Sequence, residues 1–420
     1  MSALIPGKAI LPLLLTFGCQ VSISLLTFAP PISAAAMMSD LDLPPSAVGL
    51  YTGLVYMSAI VSNAWAEPLI GRFGPLRLSF ACVALAGAGL LGVATGFVPL
   101  VAASTLLMGL CYGPLTPAAS LVLAQYSTPN TIGLMISLRQ TGVPAGGLAA
   151  GLLVPQLTVA YGWSGAFLLI GTGTLMATLI LGFSLSLIRN ETSTGIAAGP
   201  TGLIAPLRFV FGHRTLLSLS AGSLTFSAMQ LCLTSFLTVY LVSVVGLDLV
   251  TAGVLLGVSQ VAGILGRIGW GMAADRVPRP RSLMLILGVL MCASAGATSL
   301  LESQWAFMIM ALVVFVFGAT ASGWNGVFLS EIVRTVEPSR IGIATSGCLT
   351  FTFLGVVCGP PLFGGLVAMA GYDGAFALMG GIALAGGVVS GGGALLSGSS
   401  PSSALAAPEA VAARPASRSE

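Results

Sequence analysis

Apolar runs of about twenty residues follow one another along almost the whole chain, and this succession constrains the fold more than any other feature of the sequence. A helix rises about 1.5 Å per residue, so about 20 apolar residues cross the hydrocarbon core of a bilayer, which is roughly 30 Å thick. Charge is correspondingly scarce: the 420 residues carry 15 basic and 12 acidic side chains, 6% of the chain, against about a quarter in a soluble domain. A water-soluble protein of this length would have almost nothing polar to place on its surface. The solvent for most of this chain is therefore lipid, and no soluble domain of any size can be cut from it.

Spanning helices are predicted near residues 9–29, 46–68, 76–98, 100–123, 134–155 and 163–187, and again near 215–242, 251–272, 282–300, 305–328, 341–368 and 373–397. The fold class is thus an all-α membrane protein with twelve transmembrane helices. One long polar interior stretch, holding Asn190, Glu191, Thr192 and Ser193, divides the chain almost evenly. The division runs as a six-helix half over 1–188, a cytoplasmic central loop over 189–214 and a second half over 215–397. The remaining 398–420, rich in Ser, Ala and Pro, is expected to be a disordered cytoplasmic tail. Lys8 followed by a long apolar stretch, with no small-residue cleavage site close behind, marks a first helix rather than a removed signal peptide.

Charge placement supports this map. With both termini cytoplasmic, Lys8, Arg72, Arg77, Arg189, Arg208, Arg214, Arg276, Arg279, Arg281, Arg334, Arg340, Arg414 and Arg418 all fall on the cytoplasmic side. The external loops carry Asp40, Asp42, Asp248, Glu302 and Asp373 and no basic residue. That is the positive-inside pattern, and it accounts for the net charge of +3 as topology rather than as a nucleic-acid surface. The seven cysteines are scattered and never form a C-x-x-C pair, and His213 stands alone, so no metal site is expected. No glycine-rich stretch ends in G-K-[ST] and no catalytic constellation occurs, so neither an enzyme nor a cofactor is expected.

The halves echo each other. Tyr161-Gly162-Trp163-Ser164-Gly165-Ala166-Phe167 opens the sixth helix, and Gly371-Tyr372-Asp373-Gly374-Ala375-Phe376 opens the twelfth, 209 residues later. Ile132-Gly133 repeats as Ile341-Gly342 at the same offset, and Arg72 matches Arg276 at an offset of 204. These are parallel six-helix repeats, one arrangement used by transporters with a central site between the halves.

The residues also carry a family resemblance. Gly271-Met272-Ala273-Ala274-Asp275-Arg276, followed by Arg279 and Arg281, resembles G-x-x-x-D-R-x-G-R-R, the loop signature of the major facilitator superfamily between helices 8 and 9. The matching loop after the second helix keeps Arg72, Phe73 and Gly74 but has Glu67 where glycine is usual and Gly71 where aspartate is usual. The resemblance implies the major facilitator fold, function as a monomer, and a latch in which Asp275, with Gly271 and Arg276, helps to hold the outward-open state. The first-half latch, around Arg72, would be weaker or use Glu67 instead. Gly266-Arg267 to Asp275 is also similar to the helix-8 segment G-R-x-x-x-G-x-x-x-D of monocarboxylate and oxalate–formate carriers, where the arginine is implicated in substrate binding.

Two arginines lie inside apolar runs. Arg139 sits about eight residues beyond the turn at Thr131–Gly133, and Arg267 eight residues before Asp275, so each is roughly 12 Å inside the cytoplasmic boundary. A charge at mid-membrane costs about 2.5–3.5 kcal/mol on the permissive scale and usually faces a cavity, a substrate or a counter-ion. Glu67 is the one carboxylate expected within a helix, and it is near the cytoplasmic end. Two guanidiniums without an embedded acid favour an anionic ligand, because their fork geometry suits a carboxylate. Snorkelling to the interface is the bland alternative. Gln140 beside Arg139, Gln260 seven residues before Arg267, the stripe Tyr56–Asn63–Glu67, and Gln20 and Asn325 within their helices are further candidate contacts; any one of them alone is as well explained by an interhelical hydrogen bond.

The expectation is a secondary carrier for a small organic anion in the inner membrane of a bacterium, working by alternating access with proton symport or anion exchange. The competing expectation is a multidrug or metabolite exporter, suggested by Gly142-Val143-Pro144-Ala145-Gly146-Gly147. Small residues at four-residue spacing there permit close helix packing, as do Gly355, Gly359, Gly364 and Gly365 in the second half.

Overall fold

A computed structural model of the chain describes residues 7–126, 132–188, 204–277, 281–337 and 340–391, and no strand occurs among them. In the first half, α1 (Gly7–Ile32) is followed by a short α2 (Ala34–Leu41), and after a 113° bend by α3 (Ser46–Ala64). A break at Trp65 leads to α4 (Ala66–Phe73), and Gly74, at a φ of 82°, turns the chain into α5 (Pro75–Ala94). Next come α6 (Val98–Tyr112) and α7 (Leu115–Tyr126), then α8 (Ile132–Gln140) and α9 (Gly142–Ile188). The short α10 (Ile204–Phe211) lies within the stretch expected to be a loop.

The second half holds α11 (Arg214–Ser243), α12 (Leu249–Arg276), α13 (Arg281–Thr298), α14 (Phe307–Ala321), α15 (Trp324–Thr335) and α16 (Ile341–Gly391). The Asp248 carboxylate caps α12 by accepting the Thr251 N–H at 2.9 Å, and the Thr251 hydroxyl together with this N–H holds its pKa below the usual aspartate value. Among the described residues nine helices are long and apolar enough to cross a membrane, or ten if the bent pair of α2 and α3 is one span. The predicted spans at 46–68, 100–123, 134–155 and 305–328 are each broken rather than continuous, and the last of them reaches Thr335. Residues beyond Gly391, and with them the expected disordered tail, lie outside the described residues.

Two elements are too long to be one span: α9 has 47 residues and α16 has 51, where about 20 suffice. Each is two helices meeting at a single non-helical glycine, Gly162 (φ 71°, ψ 165°) and Gly371 (φ 71°, ψ 176°). A positive φ is a conformation that glycine adopts without penalty. These are the glycines of the repeated motif, and the same backbone geometry recurs 209 residues later.

The halves meet along two seams, α3 against α16 and α9 against α12. A Cβ on Gly53 would lie 2.6 Å from Pro361 Cγ, and one on Gly151 would lie 2.7 Å from the Gly253 carbonyl oxygen. Gly49 is equally crowded by the Pro360 backbone, and Thr52 Oγ1 donates to Ser235 Oγ at 3.2 Å. Gly49 and Gly53 of the first half correspond to Gly253 and Gly257 of the second at the offset of 204, so the seams are repeats of one another. Both lie toward the Gly162 and Gly371 turns, away from the ends that carry Arg72 and Arg276. The core of the second half is strongly aromatic: Phe236, Phe363 and Phe376 stack at centroid separations of 4.5 and 4.9 Å, with Tyr240 at 5.3 Å from Phe376.

Candidate functional site

Arg139 is the penultimate residue of α8, and its side chain turns inward between α1 and α7, only 2% exposed. Nη2 donates to Gln20 Oε1 at 2.7 Å and to the Leu115 carbonyl at 3.3 Å, and Nη1 donates to Thr116 Oγ1 at 3.3 Å. Gln20 is held in turn, its Nε2 donating to Ser24 Oγ at 3.2 Å and to the Tyr112 hydroxyl at 3.3 Å. Arg139 Nε has no partner. The guanidinium therefore neither snorkels outward nor stands in an open cavity. Neutral dipoles of its own half hold it, with one buried donor unused.

Arg267, on α12, is half-buried and bonds differently. Nε donates to the Ser322 carbonyl at 3.1 Å, within the break between α14 and α15. Nη1 donates to the Gln140 carbonyl at 2.9 Å, so the side chain crosses from the second half to the first. Local sequence explains why that carbonyl is free. In an unbroken helix it would accept the N–H of residue 144, which is proline and has none. Thr141 deepens the interruption, since its hydroxyl donates to the Leu138 carbonyl at 2.6 Å in competition with the helix ladder. Pro144 and Thr141 thus leave an acceptor at mid-helix, and Arg267 supplies the donor.

Tyr112 belongs to the Arg139 group through Gln20, and the two arginines are linked along the chain, since the carbonyl that Arg267 binds is that of Gln140, next to Arg139. The Tyr112 ring meets Tyr56 edge to face, with centroids 5.4 Å apart. Of the predicted residues, the structure thus gathers Arg139, Gln20, Tyr56, the Gln140 backbone and Arg267. Gln260 sits on the α9–α12 seam, donating to Thr234 Oγ1 at 3.4 Å and packed against Gly147. Asn325 is half-buried at the start of α15, next to Trp324, whose indole donates to Gln230 Oε1 at 3.3 Å. Asn63 is exposed at the end of α3 and is not joined to this group. Sequence reasoning missed Tyr112, Thr116 and Ser322, although the Gly113-Pro114 pair signalled a helix break beside two of them.

Glu67 is not the sole helical carboxylate. Glu331 lies within α15, 8% exposed, where its charge interacts with Arg334 and Arg281. Arg281 also ties that end together, with Nε donating to the Ser390 carbonyl and Nη2 to Ser218 Oγ, both at 2.5 Å. Among the latch candidates, Arg276 is exposed, and so is Arg72, its guanidinium 5.4 Å from the Phe73 ring. Gly271 lies where α12 crosses α15 at Gly326. The side chains of Glu67 and Asp275 lie outside the described residues. The helix-5 glycines are used in packing: Gly142 and Gly146 fit against Gln20 and Ser24 of α1, and Gly147 and Gly151 against α12. This is the ordinary role of small residues at helix crossings.

A family model described as Major Facilitator Superfamily matches residues 13–334. An uncharacterised MFS-type transporter of Mycobacterium tuberculosis is 27% identical over 280 residues, 65% of this chain; the match spans only 60% of that relative's length. The hexuronate transporter of Bacillus subtilis is 24% identical, with 83% of this chain and 86% of the relative covered. The gallate transporter of Pseudomonas putida is 25% identical, with 82% and 86% covered. Among solved structures, a mutant of the nucleoside transporter NupG superposes with a TM-score of 0.75 at 13% identity, covering 90% of this chain and 98% of that one.

Proposed function

The chain belongs to the major facilitator superfamily, a family of membrane transporters and not of enzymes, and from that premise we propose that it is a secondary carrier for a small organic anion of the carboxylate class. One observation carries the proposal: two guanidiniums within the spans, one bonded to the backbone carbonyl next to the other, have hydrogen-bond partners that are all neutral. A carboxylate arriving between them would supply the missing negative charge, with Arg139 Nε and the remaining Arg267 donors available to it. Relatives named for hexuronate and gallate, chemically different acids that share a carboxylate, support the same class.

Counting the bent pair as one span, and α9 and α16 as two each, gives twelve spans. They divide into halves over 1–188 and 215–397 about the stretch 189–214, with both termini cytoplasmic in a bacterial inner membrane. With the arginine-bearing ends on the cytoplasmic side, the two glycine-packed seams lie toward the outside. Asp275 would latch the outward-open state. The buried acid, Glu331, stands at the arginine-bearing end of the second half and not beside the two arginines, which favours anion exchange, or entry of a protonated substrate, over relay through a central carboxylate.

The test is counterflow in proteoliposomes with small carboxylates and lipophilic cations, on wild type beside Arg139→Gln and Arg267→Gln. The expected result is carboxylate counterflow that both substitutions abolish. Cation flux that survives both would overturn the assignment and bring back the exporter.

A further inference from the structure

A second binding feature lies outside this site, on the lipid-facing side of the first half. A groove of about 310 Å³ runs between α1, α5 and the part of α9 beyond Gly162. Leu14, Leu15, Phe80, Val83, Ala177 and Leu181 form half of its lining. Its rim faces outward, with Leu14 58% and Leu181 50% exposed. Two glycines in its lining create the space, since a Cβ on Gly18 or on Gly173 would meet nothing within 4 Å. Of its polar lining residues Ser22, Thr174 and Thr178, the last has its hydroxyl already bonded to the Thr174 carbonyl at 2.7 Å.

The wall contains no charged side chain, so a small carboxylate would find no partner there. Charge stands instead at one mouth. Along the helices, Lys8 lies about 9 Å before Leu14 on α1 and Arg77 about 4.5 Å before Phe80 on α5, and both are exposed. In the sequence, the other charges flanking that end of the first half are Arg72, Arg189, Glu67 and Glu191. An apolar channel about 12 Å long on α1, from Leu14 to Ser22, ending at two cations, matches one amphiphile in particular.

We propose that the groove holds an acyl chain of an anionic phospholipid whose headgroup phosphate sits between Lys8 and Arg77. A basic residue at the membrane surface attracts an anionic lipid by about 1 kcal/mol, or about fivefold in affinity, so the pair would favour it over a zwitterionic lipid by about 25-fold.

The experiment is native mass spectrometry of the full chain in detergent, titrated separately with phosphatidylglycerol and phosphatidylcholine. Wild type is expected to retain one phosphatidylglycerol in strong preference. The double variant Lys8→Gln, Arg77→Gln should still bind lipid but with the headgroup preference near parity. Gly173→Leu and Gly18→Leu, made separately so that one folding defect does not decide the matter, should lose the retained lipid of either headgroup. Equal retention of the two lipids by wild type would overturn the proposal. So would undiminished phosphatidylglycerol retention in the filled variants, which would make the lipid merely annular.

Discussion

The two halves descend from one pattern yet differ in how their helices are interrupted. The second span of the first half breaks at Trp65 and the fifth at Thr141, whereas their repeats in the second half, α12 and α16, run through the equivalent positions unbroken. Each first-half break comes three residues before a proline, Pro68 and Pro144. The repeat positions hold Met272 and Phe353, at offsets of 204 and 209. Thr141 itself is matched by Thr350, where α16 runs unbroken, so the hydroxyl alone does not break a helix; at residues 141–144 it is combined with the missing N–H of Pro144. The fourth and tenth spans, by contrast, break alike, at Gly113-Pro114 and at Ser322-Gly323. The first half is thus the more often interrupted, whereas the second carries the stacked aromatic core. Arg267 belongs to the second half and bonds to an acceptor of the first.

This contrast can be broken from either side. Phe353→Pro would install in α16 the interruption that α9 carries, and thermal unfolding should show a loss of about 3 kcal/mol. Arg267→Gln should lower carboxylate counterflow about 100-fold, the scale of a lost charge-assisted contact, with little change in melting temperature. Arg139→Ala should, besides losing counterflow, cost about 2 kcal/mol of stability, since Gln20 and Thr116 would lose the donor that satisfies them inside the half. Pro144→Ala would return an N–H to the Gln140 carbonyl and compete with Arg267 for it. The expected change in exchange rate is about fivefold, and a double-mutant cycle with Arg267→Gln should be non-additive by about 1 kcal/mol. The smallest effect should come from Thr116→Val, less than about threefold in flux, because its 3.3 Å bond is the weakest class of contact around Arg139.

Much of the architecture was legible in the sequence because the length of an apolar run is set by the thickness of the bilayer. The turns at Gly162 and Gly371 were visible as a repeated motif, which marked where one helix stops and the next begins. The breaks were harder to see. Hydropathy is continuous across Trp65, Thr141 and Ser322; Pro68 and Pro144 mark the first two by the N–H they lack, and no proline marks the third. Arg139 and Arg267 stood out by cost alone, but their different roles did not, because exposure and the partner across the seam depend on tertiary packing. Glu331 was overlooked because the tenth span was expected to end at residue 328, seven residues before the helix does. The groove beside Gly18 and Gly173 leaves no mark in the sequence, since an empty space between three helices has no residue of its own.

The single-residue turns at Gly162 and Gly371 also bear on how the protein is made. A pair of spans joined by one glycine has no hydrophilic loop to thread across the bilayer ahead of the second helix. The two must therefore enter the membrane together as a preformed hairpin. Lengthening either turn would alter the order of insertion before it altered anything in the finished carrier.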